Sequence, residues 1–413
     1  MKFLSEILKE KIVELIERVA EKASDPKGGI TRLLYSKEWV DTQIELKKIM
    51  EEEGLTTYFD EVGNLYGCLE GDKLSEETIM TGSHVDTVVN GGKYDGMYGI
   101  IAGIVALGYL KEKYGKGRRN LEVVSFAEEE GSRFPTVFWG SKNFLGCENK
   151  EEVEYIEDGN GIVFKDAIHE AGFDFKKSSG NRRRNVKAFL EAHIEQGNIL
   201  EIEKKEIGIV DSIAGQRRYK VEVVGTANHA GTTPMEYRRD AFYAASKMIS
   251  SILDKARYYG NPLVATAGFI EVNPNVGNVV PGRAEFTLDI RHTEEEFLKK
   301  FTEEMISFMK ETANECNVEV QVHMWMNEPP VPMNKEIVDC IEQVCDKKNI
   351  EYRVMHSGAG HDSQLIAKEI PTAMIFVPSE NGISHNPNEY TDPHYLAKGV
   401  EVLIDSIYQL TYK

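Results

Sequence analysis

The chain of 413 residues has no apolar run approaching the length needed to span a bilayer, which takes about 20 residues. Its first stretch, "MKFLSEILKEKIVELIERVAEKA", carries charges throughout and reads as an amphipathic helix. It lacks the apolar core and cleavage site of a signal peptide. Cysteine is scarce: Cys68, Cys147, Cys316, Cys340 and Cys345 are odd in number, scattered and without a CxxC pair, so a reduced, cytoplasmic protein is expected. Positive charge is also short. Lys and Arg total 49 against 68 Asp and Glu, a net charge of −19, which argues against nonspecific binding to nucleic acid. There is no GxxxxGK[ST] phosphate loop, no HExxH and no GxSxG elbow. "GAGHDS" has only part of a dinucleotide fingerprint and lacks its strand–turn–helix context. No internal repeat or low-complexity segment is found.

What is present is a series of short apolar runs, each ending in a polar loop. "EETIM" leads to "TGSHVDT", "LEVVSFA" to "EEEGS", "VKAFLEA" to "HIEQG", and "IPTAMIFV" to "PSENGISHN". Helical patterns separate them, which predicts an α/β domain with a largely parallel sheet. In such sheets sites form beyond the carboxyl ends of the strands. From about Gln216 the order changes to strand, helix, two strands, helix, strand, a ferredoxin-like βαββαβ layer. The α/β pattern resumes after "PPVP", so this layer reads as an insertion. The expected domains are 1–212 with 330–413, and 213–329.

The loops after the apolar runs hold the residues that could do chemistry. Glu128, Glu129 and Glu130 are adjacent like charges at the end of a buried run, a costly arrangement unless something faces them. His84 and Asp86 lie on one side of an extended chain, so Asp86 could hold the His84 ring while His84 binds a metal. His193 follows the third run and His385 the fourth, and Asp95 lies in a glycine-rich loop. Alone, each has an ordinary reading: a surface pair, a solvated acidic face, a core histidine, a turn residue. Together they form a set of donors suited to divalent ions, with Asp95 placed to bridge a pair.

The stretches "TGSHVDTVVNGGKYDG", "AEEEGSRFP", "EAHIEQG", "GTANHAGTTPM", "NVVPGRAEFTLDIRH", "SGAGHDS" and "NGISHNPNE" resemble the amidohydrolase branch of the M20 metallopeptidase superfamily. That branch includes N-carbamoyl-L-amino acid hydrolases, β-ureidopropionases and allantoate amidohydrolases. "GGITRLLYS", "FPTVFWGSKN", "YRVMHSGAGHD" and "MIFVPSENGISHNP" are similar to bacterial allantoate amidohydrolases. The resemblance implies a mixed-sheet α/β catalytic domain with two metal ions, and an inserted ferredoxin-like lid that also makes a homodimer. Manganese is the ion it suggests, with zinc, cobalt and nickel compatible with the donors.

Carried onto this sequence, the resemblance implies metal ligands His84, Asp95, Glu130, His193 and His385, with His84 and His193 on opposite ions and Asp95 bridging. Glu129 would be the general base and Asp86 would orient His84. Glu128 receives no role. Arg291 would clamp a substrate carboxylate, Gln216 and Asn278 would hydrogen-bond the carboxylate or a ureido group, and His229 would steady the oxyanion from one subunit or the other. Gly360 and His361 would contact substrate from the catalytic domain. Ser363 stands where the family often has alanine, which sets an added hydroxyl near the expected pocket.

The implied substrate is a small ureido compound bearing a carboxylate, with neither nucleic acid nor membrane as partner. An N-carbamoyl-L-amino acid hydrolase or β-ureidopropionase is the alternative within the branch. A dipeptidase or aminoacylase is disfavoured by His193 and the Arg291–Asn278 pair, and a non-catalytic metal binder by Glu129.

Overall fold

The computed structural model describes residues 2–25, 28–174 and 185–412. The chain divides into two compact units. The first comprises Met1–Asp211, Met333–Met355 and Gly360–Lys413; the second comprises Ser212–Pro332 and His356–Ala359.

The first unit is built on a mixed sheet. Its strands run in the order Thr56–Phe59, Leu65–Leu69, Arg119–Phe126, Leu74–His84, Val186–Ile194, Thr372–Val377 and Ile207–Ile213. The four from Arg119–Phe126 to Thr372–Val377 are mutually parallel. The neighbours on both flanks pair antiparallel, so the sheet is less uniformly parallel than the apolar runs suggest. Only the Phe59–Leu65 connection is hairpin-length and so permits only antiparallel pairing; the other antiparallel neighbours are distant in sequence. The parallel strands are apolar on both faces. Thr372–Val377 is buried at every position, and Val186–Ile194 at every position but one.

The helix Met97–Tyr114 covers this sheet and is itself buried over most of its circumference, through Ile100, Ile101, Ile104, Val105 and Leu107 among others. It starts after Gly96, whose φ of +64° favours glycine. A Cβ at Gly96 would also come within 2.5 Å of the His84 ring and carbonyl. Gly96 therefore lets the helix start hard against His84. Parallel pairing aligns His84 with Phe126, and His193 with Phe376. The carboxyl ends of all four strands lie along one edge, where the polar loops begin.

The second unit is a five-stranded antiparallel sheet with two helices. Its path is Ile270–Asn273, Arg283–His292, Gly215–Val224, Glu319–Glu328, with Val264–Thr266 also on Arg283–His292. The first of the two strands expected between the helices, over "LVATAGFIEV", is two short strands on the same partner, interrupted at Ala267–Phe269. The helix Ala241–Tyr259 is capped by the Asp240 side chain, which accepts from the Tyr243 amide. It buries Ala241, Ala244, Ala245, Met248, Ile252 and Ala256. The helix Glu295–Glu315 buries Leu298, Phe301, Met305 and Met309. These i, i+3, i+4 stripes pack on Tyr219, Val221, Val223, Phe286, Leu288 and Ile290, so one sheet face is core. The alternate residues, among them Gln216, Arg218, Asp289 and Arg291, project from the other face. Among the described residues, no helix is long and apolar enough to cross a membrane.

Candidate metal centre

His84, Asp95, His193, Glu130 and His385 converge at the strand ends of the first unit. His84 Nε2 and His193 Nε2 face the same oxygen, Asp95 Oδ1, at 3.5 and 3.3 Å. His385 Nε2 faces Asp95 Oδ2 at 3.3 Å and Glu130 Oε1 at 3.4 Å. The donor atoms fall into two groups that share Asp95: His84, Asp95 and His193, and Asp95, Glu130 and His385. His84 and His193 gather at one carboxylate oxygen, so an ion held there would be shared by both, where the resemblance implies opposite ions.

The orientation of each ring is fixed from its other nitrogen. His193 Nδ1 lies 2.9 Å from the Ile194 carbonyl. His84 Nδ1 lies 3.2 Å from the Asp86 carbonyl and 3.3 Å from Asp86 Oδ1. A carbonyl only accepts, so Nδ1 carries the proton and Nε2 is left to face Asp95. A nitrogen lone pair opposed to a carboxylate oxygen is repulsive unless a cation lies between them. Without a metal a proton would supply it at His84, while at His193 the Gly96 amide also donates to Nε2 at 3.2 Å. Burial opposes protonating His84 and His193, yet Asp95 on both, with Asp86 on His84, outweighs it and raises both pKa values. A divalent ion satisfies the same need, so the residues fit a metal pair.

Asp86 does more than orient His84. Its Oδ1 accepts from the Glu129 amide (2.9 Å) and its Oδ2 from the Glu130 amide (3.1 Å). One carboxylate thus sets His84 and the Glu129–Glu130 backbone together. The three adjacent glutamates have separate environments. Glu128 is fully buried, and burial pushes its carboxyl well above the usual range, which favours the neutral acid. Burial, with help from Asp95, pushes Glu130 up to about 7. Glu129 is also raised, first by burial. It lies in the His84–Glu129–Glu130 group, and a Cβ placed on Gly360 would be 4.0 Å from its Oε1.

Several participants were not legible from spacing. Glu389 is buried, accepts from the amides of Tyr94 (3.0 Å) and Asp95 (3.1 Å), and lies 2.8 Å from Ser384 Oγ. Gln196 donates to Asp95 Oδ2 at 2.8 Å. Arg32, fully buried, donates from Nε to the Val85 carbonyl at 2.7 Å, while its Nη atoms have no hydrogen-bond partner. Burial lowers its pKa to about 10, against the pull of Asp86, Asp95 and Glu389. Gln196 and Arg32 do sit inside stretches that carry the resemblance, "HIEQG" and "GGITRLLYS", so the signal was in the motifs. Glu389 likewise ends the stretch "NGISHNPNE", though nothing in its spacing marks it as buried against Asp95.

His361 is 1% exposed, with its ring edge-on to His193 at 4.6 Å and to Phe376 at 5.6 Å. The Ser363 hydroxyl does not reach a pocket; it donates to Glu191, and both are fully buried.

The remaining expected residues belong to the second unit. Arg291 pairs with Asp289 through Nε and Nη2, both at 2.9 Å, and donates from Nη1 to the Gly358 carbonyl at 2.6 Å. Asp289 also accepts from Arg218 Nε at 2.8 Å. These groups, with Trp325 and Phe269, line a cavity of about 640 Å³. Gln216 is the cross-strand neighbour of Arg291. His229 is exposed on a short ladder opposite Val279, and the Ala230 amide donates to the Asn278 carbonyl at 2.9 Å. His229 Nδ1 accepts from the Gly231 amide at 3.1 Å, so its proton sits on Nε2.

Comparison with known proteins matches this arrangement to one family. Residues 80–409 match the model of "Peptidase family M20/M25/M40". The chain is 49% identical to the allantoate amidohydrolase of Escherichia coli (strain K12), covering 97% of this chain and 98% of that one. It is 42% identical to the allantoate amidohydrolase of Bacillus subtilis (strain 168), covering 98% of each. Among solved structures it is similar to an amidase of the hydantoinase/carbamoylase family from Burkholderia multivorans, with a TM-score of 0.93, 30% identity and 98% of each chain covered. The chain belongs to the M20/M25/M40 peptidase family.

Proposed function

We propose that this protein is a metal-dependent allantoate amidohydrolase, which hydrolyses a ureido C–N bond of allantoate to give ureidoglycine, ammonia and carbon dioxide. The observation that carries the reading is the full-length likeness to two allantoate amidohydrolases. It is supported by two candidate ligand groups that share Asp95, with the Glu129 carboxylate beside them.

His84, Asp95 and His193 would hold one ion, and Asp95, Glu130 and His385 the other; manganese is the ion proposed. When bound, such a pair lowers the pKa of water and polarises a carbonyl oxygen, which a ureido carbon needs because two nitrogens donate into it. Glu129 takes the proton of the attacking water and delivers it to the leaving nitrogen. Its raised pKa suits a group that must hold that proton between the two events. Asp86 keeps His84 and the Glu129–Glu130 backbone in register. Arg291, pre-set by Asp289, takes the substrate carboxylate as a planar fork. Gln216 and Asn278 hydrogen-bond the carboxylate or a ureido group. Gly360 and His361 supply contacts from the GAGHD loop, the buried His361 ring acting through the backbone beside it. His229 donates from Nε2 to the developing oxyanion. The second unit is proposed as the lid and the dimer contact, and the protein as a cytoplasmic homodimer.

The test is ammonia release by manganese-loaded enzyme given allantoate, beside N-carbamoyl-L-amino acids and N-carbamoyl-β-alanine. Preference for allantoate, with ammonia and no urea, supports the reading. Preference for a carbamoyl amino acid would move the protein to the carbamoylases, which the likeness to the Burkholderia multivorans amidase keeps as the second reading.

A further inference from the structure

Glu191 lies two residues before His193 on the strand Val186–Ile194, so both side chains leave the strand on the same side. It is fully buried, and each of its oxygens is engaged. Oε1 accepts from Ser83 Oγ at 2.6 Å. Oε2 accepts from the Ser363 amide at 3.2 Å and from its hydroxyl at 2.6 Å. Ser83 precedes His84. Ser363 follows His361 by two residues, and the His361 ring packs on His193. One carboxylate therefore joins three segments, distant in sequence, that carry His84, His193 and His361.

Glu191, His193 and His361 bring donor atoms within 4.8 Å of one another, close enough to suggest a further ion. The hydrogen bonds argue otherwise. Two hydroxyl protons and an amide proton already point at the Glu191 oxygens, an arrangement that suits an anion acceptor and repels a cation. Among the described residues, no Lys or Arg pairs with Glu191. A carboxylate buried without a cation is costly. The His84–Asp95–His193 group is the nearby place where a cation can be held.

We propose that Glu191 is a positioning residue for the metal centre. Through Ser83 and Ser363 its carboxylate fixes the spacing of His84 and His193, and it sets the affinity of that group for its ion. The proposal rests on reading His84, Asp95 and His193 as a ligand group. It also accounts for the Ser363 hydroxyl, which is a third donor to Glu191 where alanine would leave only the backbone amide.

The experiment is calorimetric titration of the metal-stripped full chain with Mn²⁺, for wild type, Glu191→Gln, Ser83→Ala and Ser363→Ala, with the melting temperature of each metal-free protein recorded alongside. Glu191→Gln should weaken Mn²⁺ binding by about 10- to 100-fold, the range found when partners behind metal ligands are lost. Its activity at low Mn²⁺ should fall and should recover as Mn²⁺ is raised. Ser83→Ala and Ser363→Ala each remove one donor and should give smaller losses in the same direction, which keeps the test open if Glu191→Gln does not fold. A lower metal-free melting temperature with Mn²⁺ affinity within twofold of wild type would make Glu191 a core residue only and overturn the proposal alone. A wild-type chain that takes up no Mn²⁺ would overturn it together with the ligand assignment.

Discussion

In the first unit the Nδ1 atoms of His84 and His193 face backbone carbonyls; in the second the Nδ1 of His229 faces a backbone amide. One contact each is enough to give opposite tautomers. The buried pair turn Nε2 toward a carboxylate and can hold an ion. The exposed one turns an Nε2–H outward and can donate to an oxyanion. The rest of each environment follows the same division. The first unit buries its acids and spends them on amides, hydroxyls and imidazoles, as Asp86, Glu191 and Glu389 show. The second keeps Arg291 half-buried and pre-set by Asp289 beside an open cavity. The same residue type thus serves as a ligand or as a hydrogen-bond donor according to the backbone group beside it.

The largest expected effect tests the one carboxylate of the first unit proposed to move a proton. Glu129→Gln should lower kcat by roughly 10³- to 10⁴-fold, at the upper end of what general acid–base catalysis supplies, while Mn²⁺ uptake by calorimetry stays as in wild type. Loss of the ions together with activity would make Glu129 a ligand instead. Next, the two kinds of histidine can be set against each other. His193→Ala should reduce Mn²⁺ uptake. His229→Ala should leave uptake intact and lower kcat by about 10²- to 10³-fold, the scale of losing an oxyanion donor. Equal metal loss in both would erase the distinction.

The smallest effect concerns a buried acid with no histidine beside it. Glu122 accepts from Tyr58 (3.0 Å) and Cys68 (2.8 Å), and burial pushes its pKa up from 4.5 to about 7. Between those values the folded chain holds a proton that the unfolded chain has released. The stability this gives is complete below 4.5 and is lost as pH rises through 7. Glu122→Gln should therefore stabilise the protein at pH near 8, by on the order of 2 kcal/mol, and change little near pH 4. Thermal melts across that range check it; an equal effect at both ends would rule out titration of Glu122 as the cause.

The two layers of the fold were legible because their periods differ. Short apolar runs such as "IPTAMIFV", bounded by turn residues, fit strands buried on both faces, and the stripe through Leu298, Phe301, Met305 and Met309 fits one face of a helix. The flanking antiparallel strands were less visible, since the same short runs fit either direction. In the site, His84, Glu130, His193 and His385 stood out because each follows an apolar run, and Asp95 because it lies in a glycine-rich loop after His84. Their division between two groups was hidden, because it depends on which oxygen of Asp95 each ring meets. Glu191 looked like ordinary strand sequence. Ser83, on the strand Leu74–His84, and Ser363, in the short helix Asp362–Ile366, are its partners only through the fold.

The ligand groups that share Asp95 also differ in when they can exist. His84, Asp95 and His193 all precede the second unit in the chain, whereas His385 follows it. A growing polypeptide has made His84, Asp95 and His193 before Ser212 is added, but His385 only after the whole of Ser212–Pro332. The residues of one group are therefore synthesised early and those of the other are completed late.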